Sequence, residues 1–145
     1  MSLPWPDAPA SRHNVFMTAE SPLIPVSWGE LADKISILEI KCARLRAPEA
    51  LANAEQERAA LAPVLAPVAD RIAVERAALT AVNQRLWDIE DRIREKEAAQ
   101  DFGDAFVALA RSVYRENDHR ARIKRTINHL LGSALVEEKQ YARYD

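Results

Sequence analysis

The chain has 145 residues, with 22 acidic side chains, 20 basic ones and three histidines, for a formal net charge of −2. That balance gives no global basic field to hold a nucleic acid, and the length suits one domain that buries its own core without metal or disulfide support. A single cysteine, Cys42, excludes an intramolecular disulfide and suits a reducing compartment, and no apolar run is long enough to cross a membrane.

Residues 1–22 carry Pro4, Pro6, Pro9 and Pro22 with no hydrophobic period, and read as a flexible leader before one helical domain over 23–145. The first residues lack the basic and apolar regions of a signal peptide, so a cytoplasmic location is expected; Met17 is an alternative start. Only three glycines are present, while Ala, Leu, Glu and Arg dominate, a composition that favours long helices over a sheet.

Order is expected from "PLIPVSWGEL" onward. Ser27 followed by Glu30 forms a capping box, and Val26 and Leu31 stand at the positions of a hydrophobic staple. A first helix should run from Trp28 to Arg46, with a heptad seam of Leu31, Ile35, Leu38, Cys42 and Leu45. Ile37 and Ile40 lie off that seam and imply a second covered face. Pro48 permits a new start and an alanine-rich helix to Leu61, which Pro63 and Pro67 should interrupt.

A third helix is expected from Val68 to Ala98, about 46 Å long at the helical rise. Its seam keeps the 4-3 rhythm from Val68 through Leu79 and Leu86 to Ile93, with only Glu75 polar. "AAQDFGD" breaks the pattern and should be the turn. A fourth helix then runs to Leu131, with Phe106, Leu109, Val113, Ile123, Ile127 and Leu130 on its apolar stripe and Gly132 as a left-handed cap. The tail "SALVEEKQYARYD" should add a short helix or lie as an extended strap. The fold expected is an all-α, elongated, coiled-coil-like bundle built on a long antiparallel helix hairpin, with the first helix packed along it.

Within "YRENDHRARIKRTIN" the stripe of the fourth helix turns polar at Glu116 and Arg120, then recovers. Asn83, Trp87 and Glu90 share one side of the third helix. Arg111, Tyr114, Asn117, Asp118, Lys124 and Asn128 recur at matching spacing on the fourth. In a hairpin turning near Gln100, residue i faces residue 200 − i, which brings Trp87 toward Tyr114 and Asn83 toward Asn117. One reading is an interhelical network that sets register, with Glu90 or Asp91 paired to Arg111. The other is a binding patch, because aromatic, amide and charged groups mix in this way at recognition surfaces. Glu30 and Lys34, at the start of the first helix, complete the candidate patch. For these two the plain alternatives are capping by Glu30 and a solvated face for Lys34 and Asp33.

Other chemistries find less. Six basic residues between Arg111 and Arg125 wind around the helix instead of forming the uncompensated stripe that phosphate binding needs. Glu116 and His119 make a single Glu-x-x-His step, but a di-iron site requires a second, so His119 reads as a surface residue. No nucleophile elbow, P-loop or dinucleotide fingerprint is present. No catalytic residue, metal or cofactor is therefore assigned.

The blocks "VSWGELADKISILEIKCARL", "VNQRLWDIEDRIREKE", "FVALARSVYRENDHRARIKRTIN" and "GSALVEEKQYARY" resemble those of a family of small helical proteins of bacteria and large viruses that has no established activity. The resemblance covers about Pro25 to Tyr144. It implies a setting near surface-polysaccharide glycosyltransferases, and marks many of the same positions while adding Gly29, Asp33, Glu39, Glu138, Lys139 and Tyr141. The function expected is a non-catalytic protein-binding or adaptor module, engaging a protein partner or a second copy of itself. The alternative is a small-ligand protein or enzyme taking a sugar nucleotide or other anion, with Glu90 or Asp118 as the candidate base.

Overall fold

The computed structural model describes residues 19–144, and among them the chain is all-helical with no strand. The expected leader falls mostly on residues 1–18, outside the described residues together with His13 and Met17; residues 19–27 carry no helix.

Helix α1 spans Trp28–Arg44, and the hydroxyl of its N-cap Ser27 accepts the Glu30 N–H at 3.1 Å. It stops two residues short of the expected Arg46. Leu45 and Ala47 are already extended, the conformation that Pro48 imposes on the residue before it. Helix α2, Pro48–Leu65, runs through Pro63 instead of ending before it. The missing donor falls in the last turn, where Ala59, whose carbonyl it would have met, is exposed to water. Pro67 then takes an early position in a 3-10 segment, Ala66–Ile72. Helix α3 therefore begins at Ala73, not Val68, and runs to Ala98. Helix α4 spans Asp104–Leu131 and ends on Gly132 in the left-handed region at φ 63°.

The core gathers Leu31 and Ile35 of α1, Leu65 and Ile72 beside them, Leu79 and Val82 of α3, and Ile123 and Ile127 of α4. Seam residues Leu31, Ile35 and Leu38 are buried, but Cys42 and Leu45 are only partly covered, and Leu130 on α4 is exposed. Ile40, off the seam, is buried, so α1 does carry a second covered face.

Helix length decides where the core stops. At about 1.5 Å per residue, the 17 residues of α1 reach about 26 Å, against about 39 and 42 Å for the 26 and 28 residues of α3 and α4. Beyond α1 the two long helices have only each other, and Ile89, Ile93, Phe106 and Val113 are half-buried there. The polar stretch of α4 lies where the three-helix core gives way to this two-helix arm.

Candidate functional site

The first element is a clamp between the start of α1 and the end of α4. The Gly29 N–H donates to Asn128 Oδ1 at 2.6 Å, and the Trp28 N–H donates to Ser133 Oγ at 2.8 Å. Ser133 in turn donates to Asn128 Oδ1 at 3.1 Å. Two donors that a helix start leaves unpaired are thus satisfied from the far end of the chain. Only glycine fits at position 29: a Cβ there would press on the Lys124 carbonyl and stand 2.9 Å from Asn128 Oδ1. Beside the clamp, Lys124 Nζ reaches Glu30 at 2.7 Å, Glu137 at 3.2 Å and Asp33 at 3.8 Å. Burial alone pushes the Lys124 ammonium down, but its hydrogen bond to Glu30 and the charges of Asp33 and Glu30 outweigh this, so its pKa is raised.

The second element explains the polar seam. Asn83 is buried and its amide nitrogen donates to Asp33 Oδ1 at 2.9 Å and Ser36 Oγ at 3.3 Å. Its carbonyl oxygen accepts from Arg120 Nη1 at 3.2 Å, while Arg120 Nη2 donates to Asn117 Oδ1 at 2.8 Å. The amide therefore links a buried carboxylate on α1 to a guanidinium on α4. One turn away, Arg85 grips Glu116 with two hydrogen bonds of 3.0 Å, the bidentate geometry that fixes orientation best. Among the described residues no buried side-chain nitrogen or oxygen lacks a partner. Half-filled polar networks are unstable ones, and this one is filled.

The third element is a pair of neighbouring cavities, here called the two lobes of a cleft, that have Asn117 and Arg120 as common lining residues. One lobe, about 420 Å³, lies among α1, α3 and α4 and is lined by Ile37, Ile40, Leu86, Trp87, Glu90 and Asp91. The guanidinium of Arg44 sits over the Trp87 ring at 5.8 Å and pairs with Asp88 at 2.5 Å, holding the indole at the cleft edge. The other lobe, about 750 Å³, lies between α4 and the tail, with Tyr114 and Asp118 on the helix side and Lys139, Tyr141, Arg143 and Tyr144 on the tail side.

The tail forms no helix; residues 133–144 run as a strap beside α4. Glu138 meets Arg125 at 3.3 Å, and Glu137 meets both Lys124 and Lys139. The Tyr144 ring packs edge-on against Tyr114 at 4.7 Å and its hydroxyl donates to Asp118. That bond holds the Tyr144 proton and raises its pKa.

Of the expected patch, Asn83, Trp87, Glu90 and Asn117 do line one lobe, and Tyr114, Asn117 and Asp118 the other. Glu30, Lys124 and Asn128 belong to the neighbouring clamp. Lys34 stands apart, exposed and paired with Glu57 of α2 at 2.9 Å. Arg111 is exposed, and its expected partner Glu90 sits instead beside Arg94, one turn along α3, at 3.9 Å. Register does not separate them: Asn83 meets Arg120 and Arg85 meets Glu116, pair sums of 203 and 201 that leave Arg111 level with Glu90, yet Glu90 is held along its own helix by Arg94. Asp33 is buried, not solvated, because α1 turns it toward Asn83. Arg120, Ser36, Ser133, Arg143 and Tyr144 were outside the expected patch. Arg120 was legible as the polar interruption of an apolar stripe; the tail residues had no period to place them.

No group of three or more His, Cys, Asp or Glu side chains is gathered to hold a metal, and no helix is long and apolar enough to cross a membrane, among the described residues. The molecule is thus an all-helical protein with an aromatic and cationic cleft half-roofed by its own tail. Residues 23–144 match the family of unknown function DUF6165, and the chain belongs to that family. No curated protein and no solved structure matches it.

Proposed function

We propose that this chain is a non-catalytic binding module whose recognition site is the two-lobed cleft around Arg120. The observation that supports it is the guanidinium of Arg120, held by Asn83 and Asn117 between the Trp87 edge and the tyrosines of the tail. A fixed arginine flanked by partly exposed aromatic rings is the composition that carries binding energy at protein interfaces. In this reading α3 and α4 are a coiled-coil-like antiparallel hairpin, a stiff arm that presents the cleft. The family resemblance suggests a role with a protein of surface-polysaccharide assembly.

The test is affinity capture from native, nuclease-treated lysate with the wild-type chain and with a Trp87→Ala/Tyr114→Ala variant of unchanged helicity. Both side chains lie at the cleft surface, so the fold should survive. A partner retained by the wild type and lost by the variant is the expected result; equal capture by both would move the contact away from the cleft.

A further inference from the structure

We propose that the cleft binds a nucleoside diphosphate sugar, with the nucleoside in the tail-side lobe, the diphosphate at Arg120 and the sugar beside Trp87. This rests on the reading of the cleft as the recognition site. It places a small molecule on the cleft floor, beneath the rim that a protein partner would touch.

The tail-side lobe, about 750 Å³, lies within the range of small-molecule sites. Its walls are flat rings: Tyr114 and Tyr144 edge-on to each other, and Tyr141 at the rim with 69% of its surface exposed. Such rings offer stacking faces to a planar base. Arg120, Lys139 and Arg143 line the same lobe with one carboxylate, Asp118, in a chain whose net charge is −2; Lys139 is already paired with Glu137, so Arg120 and Arg143 are the cations offered to a phosphate. Local positive charge against that background favours phosphate, and an arginine fork matches its oxygens in pairs. Asp118 repels phosphate but accepts hydroxyl protons, as it does from Tyr144, which suits the ribose lying between base and phosphate.

The other lobe has a different chemistry. Glu90 and Asp91 stand there with Trp87 and Asn83, so a phosphate chain continuing past Arg120 would meet two carboxylates. A polynucleotide is disfavoured by that placement. A neutral, hydroxyl-rich ring is favoured: carboxylates and amides accept and donate to hydroxyls, and the indole covers the apolar face. Arg120 lines both lobes beside Asn83 and Asn117, which accept from its two terminal nitrogens, and a diphosphate joining the two rings would meet its remaining N–H groups.

Calorimetric titration of the full chain with UDP-glucose, ADP-glucose, GDP-mannose and dTDP-glucose tests this, with UDP, uridine, pyrophosphate and an oligothymidylate as controls. The expected result is that at least one sugar nucleotide binds about tenfold or more tighter than its nucleoside diphosphate, with uridine and pyrophosphate weaker still. Tyr141→Ala and Arg143→Ala, both on exposed tail residues, should weaken the diphosphate and the sugar nucleotide alike, whereas Trp87→Ala should remove only the advantage given by the sugar. The ligand series needs no variant, so a misfolded mutant leaves the test intact.

Absence of binding by all four sugar nucleotides overturns the proposal. So does pyrophosphate binding as tightly as UDP, or oligothymidylate binding more tightly. If no sugar nucleotide binds but partner capture still depends on Trp87 and Tyr114, only this inference fails. If the wild type and the Trp87→Ala/Tyr114→Ala variant capture the partner equally, the cleft is not the recognition site.

Discussion

At the scale of single residues, Asn83 shows how one side chain converts a helix seam into a site. Its amide has a donor end and an acceptor end, and the two are spent on opposite charges: the carboxylate of Asp33 and the guanidinium of Arg120. Neither leucine nor aspartate could do both. Asn83→Ala takes the amide donor from a buried carboxylate, leaving it only Lys124 at 3.8 Å, and removes one of the two anchors of Arg120, a loss we expect to cost about 2–4 kcal/mol. The midpoint of urea unfolding measures it, and a loss below about 0.5 kcal/mol would mean that water replaces the amide without penalty. The sequence made Asn83 visible as a candidate because it shares a side of its helix with Trp87 and Glu90. It could not show that the partner on α1 would be Asp33, because periodicity places a residue on a face but does not say which neighbouring helix that face meets.

At the scale of elements, the strap is the part least like a globular core. Residues 133–144 have no backbone ladder and are attached through side chains: Glu137 and Glu138 to the cations of α4, and Tyr144 to Tyr114 and Asp118. The hydrogen bond from Lys139, opposed by a smaller effect of burial and aided by Lys124, lowers the pKa of Glu137 below its ordinary value near 4.5. A carboxylate with a depressed folded value stabilises the attached state above its unfolded value, and that contribution is lost as pH falls through the folded one. Lys139 lies on the strap itself, so only the share supplied by Lys124 ties the strap to α4, and the strap should loosen in part on acidification below about pH 4.5 while the helices persist. The Tyr144 ring signal in proton NMR, shifted by Tyr114, reports it; Glu137→Gln should show part of the loosening already at neutral pH. A strap signal that follows global unfolding at every pH would refute its independence.

At the scale of the whole molecule, the helices were legible and their joints were not. The Ser27 cap and the Gly132 stop are local signals, and each stands where the sequence put it, whereas the apolar stripe of α4 holds at Leu109, Ile123 and Ile127 but not at the exposed Leu130. Pro63 misled because a proline near a helix end removes a bond that water readily replaces, so α2 ran on to Leu65; Pro67 does interrupt it, but within a 3-10 segment that delays α3 to Ala73. The cleft was half legible: one wall follows from helix periodicity, and the other is built by an aperiodic tail.

The clamp at Gly29 has a further consequence for how the chain reaches this shape. Its hydrogen bond to Asn128 spans 99 residues, whereas α1 with α2, and α3 with α4, pair elements adjacent in sequence. Two local helix pairs can form early, leaving one distant closure whose entropy falls due before its contacts reward it. A methyl group at position 29 obstructs that closure, so Gly29→Ala should slow refolding in stopped-flow measurements more than it speeds unfolding. If its whole effect lies in the unfolding rate, the two ends of the bundle meet only after the barrier has been crossed.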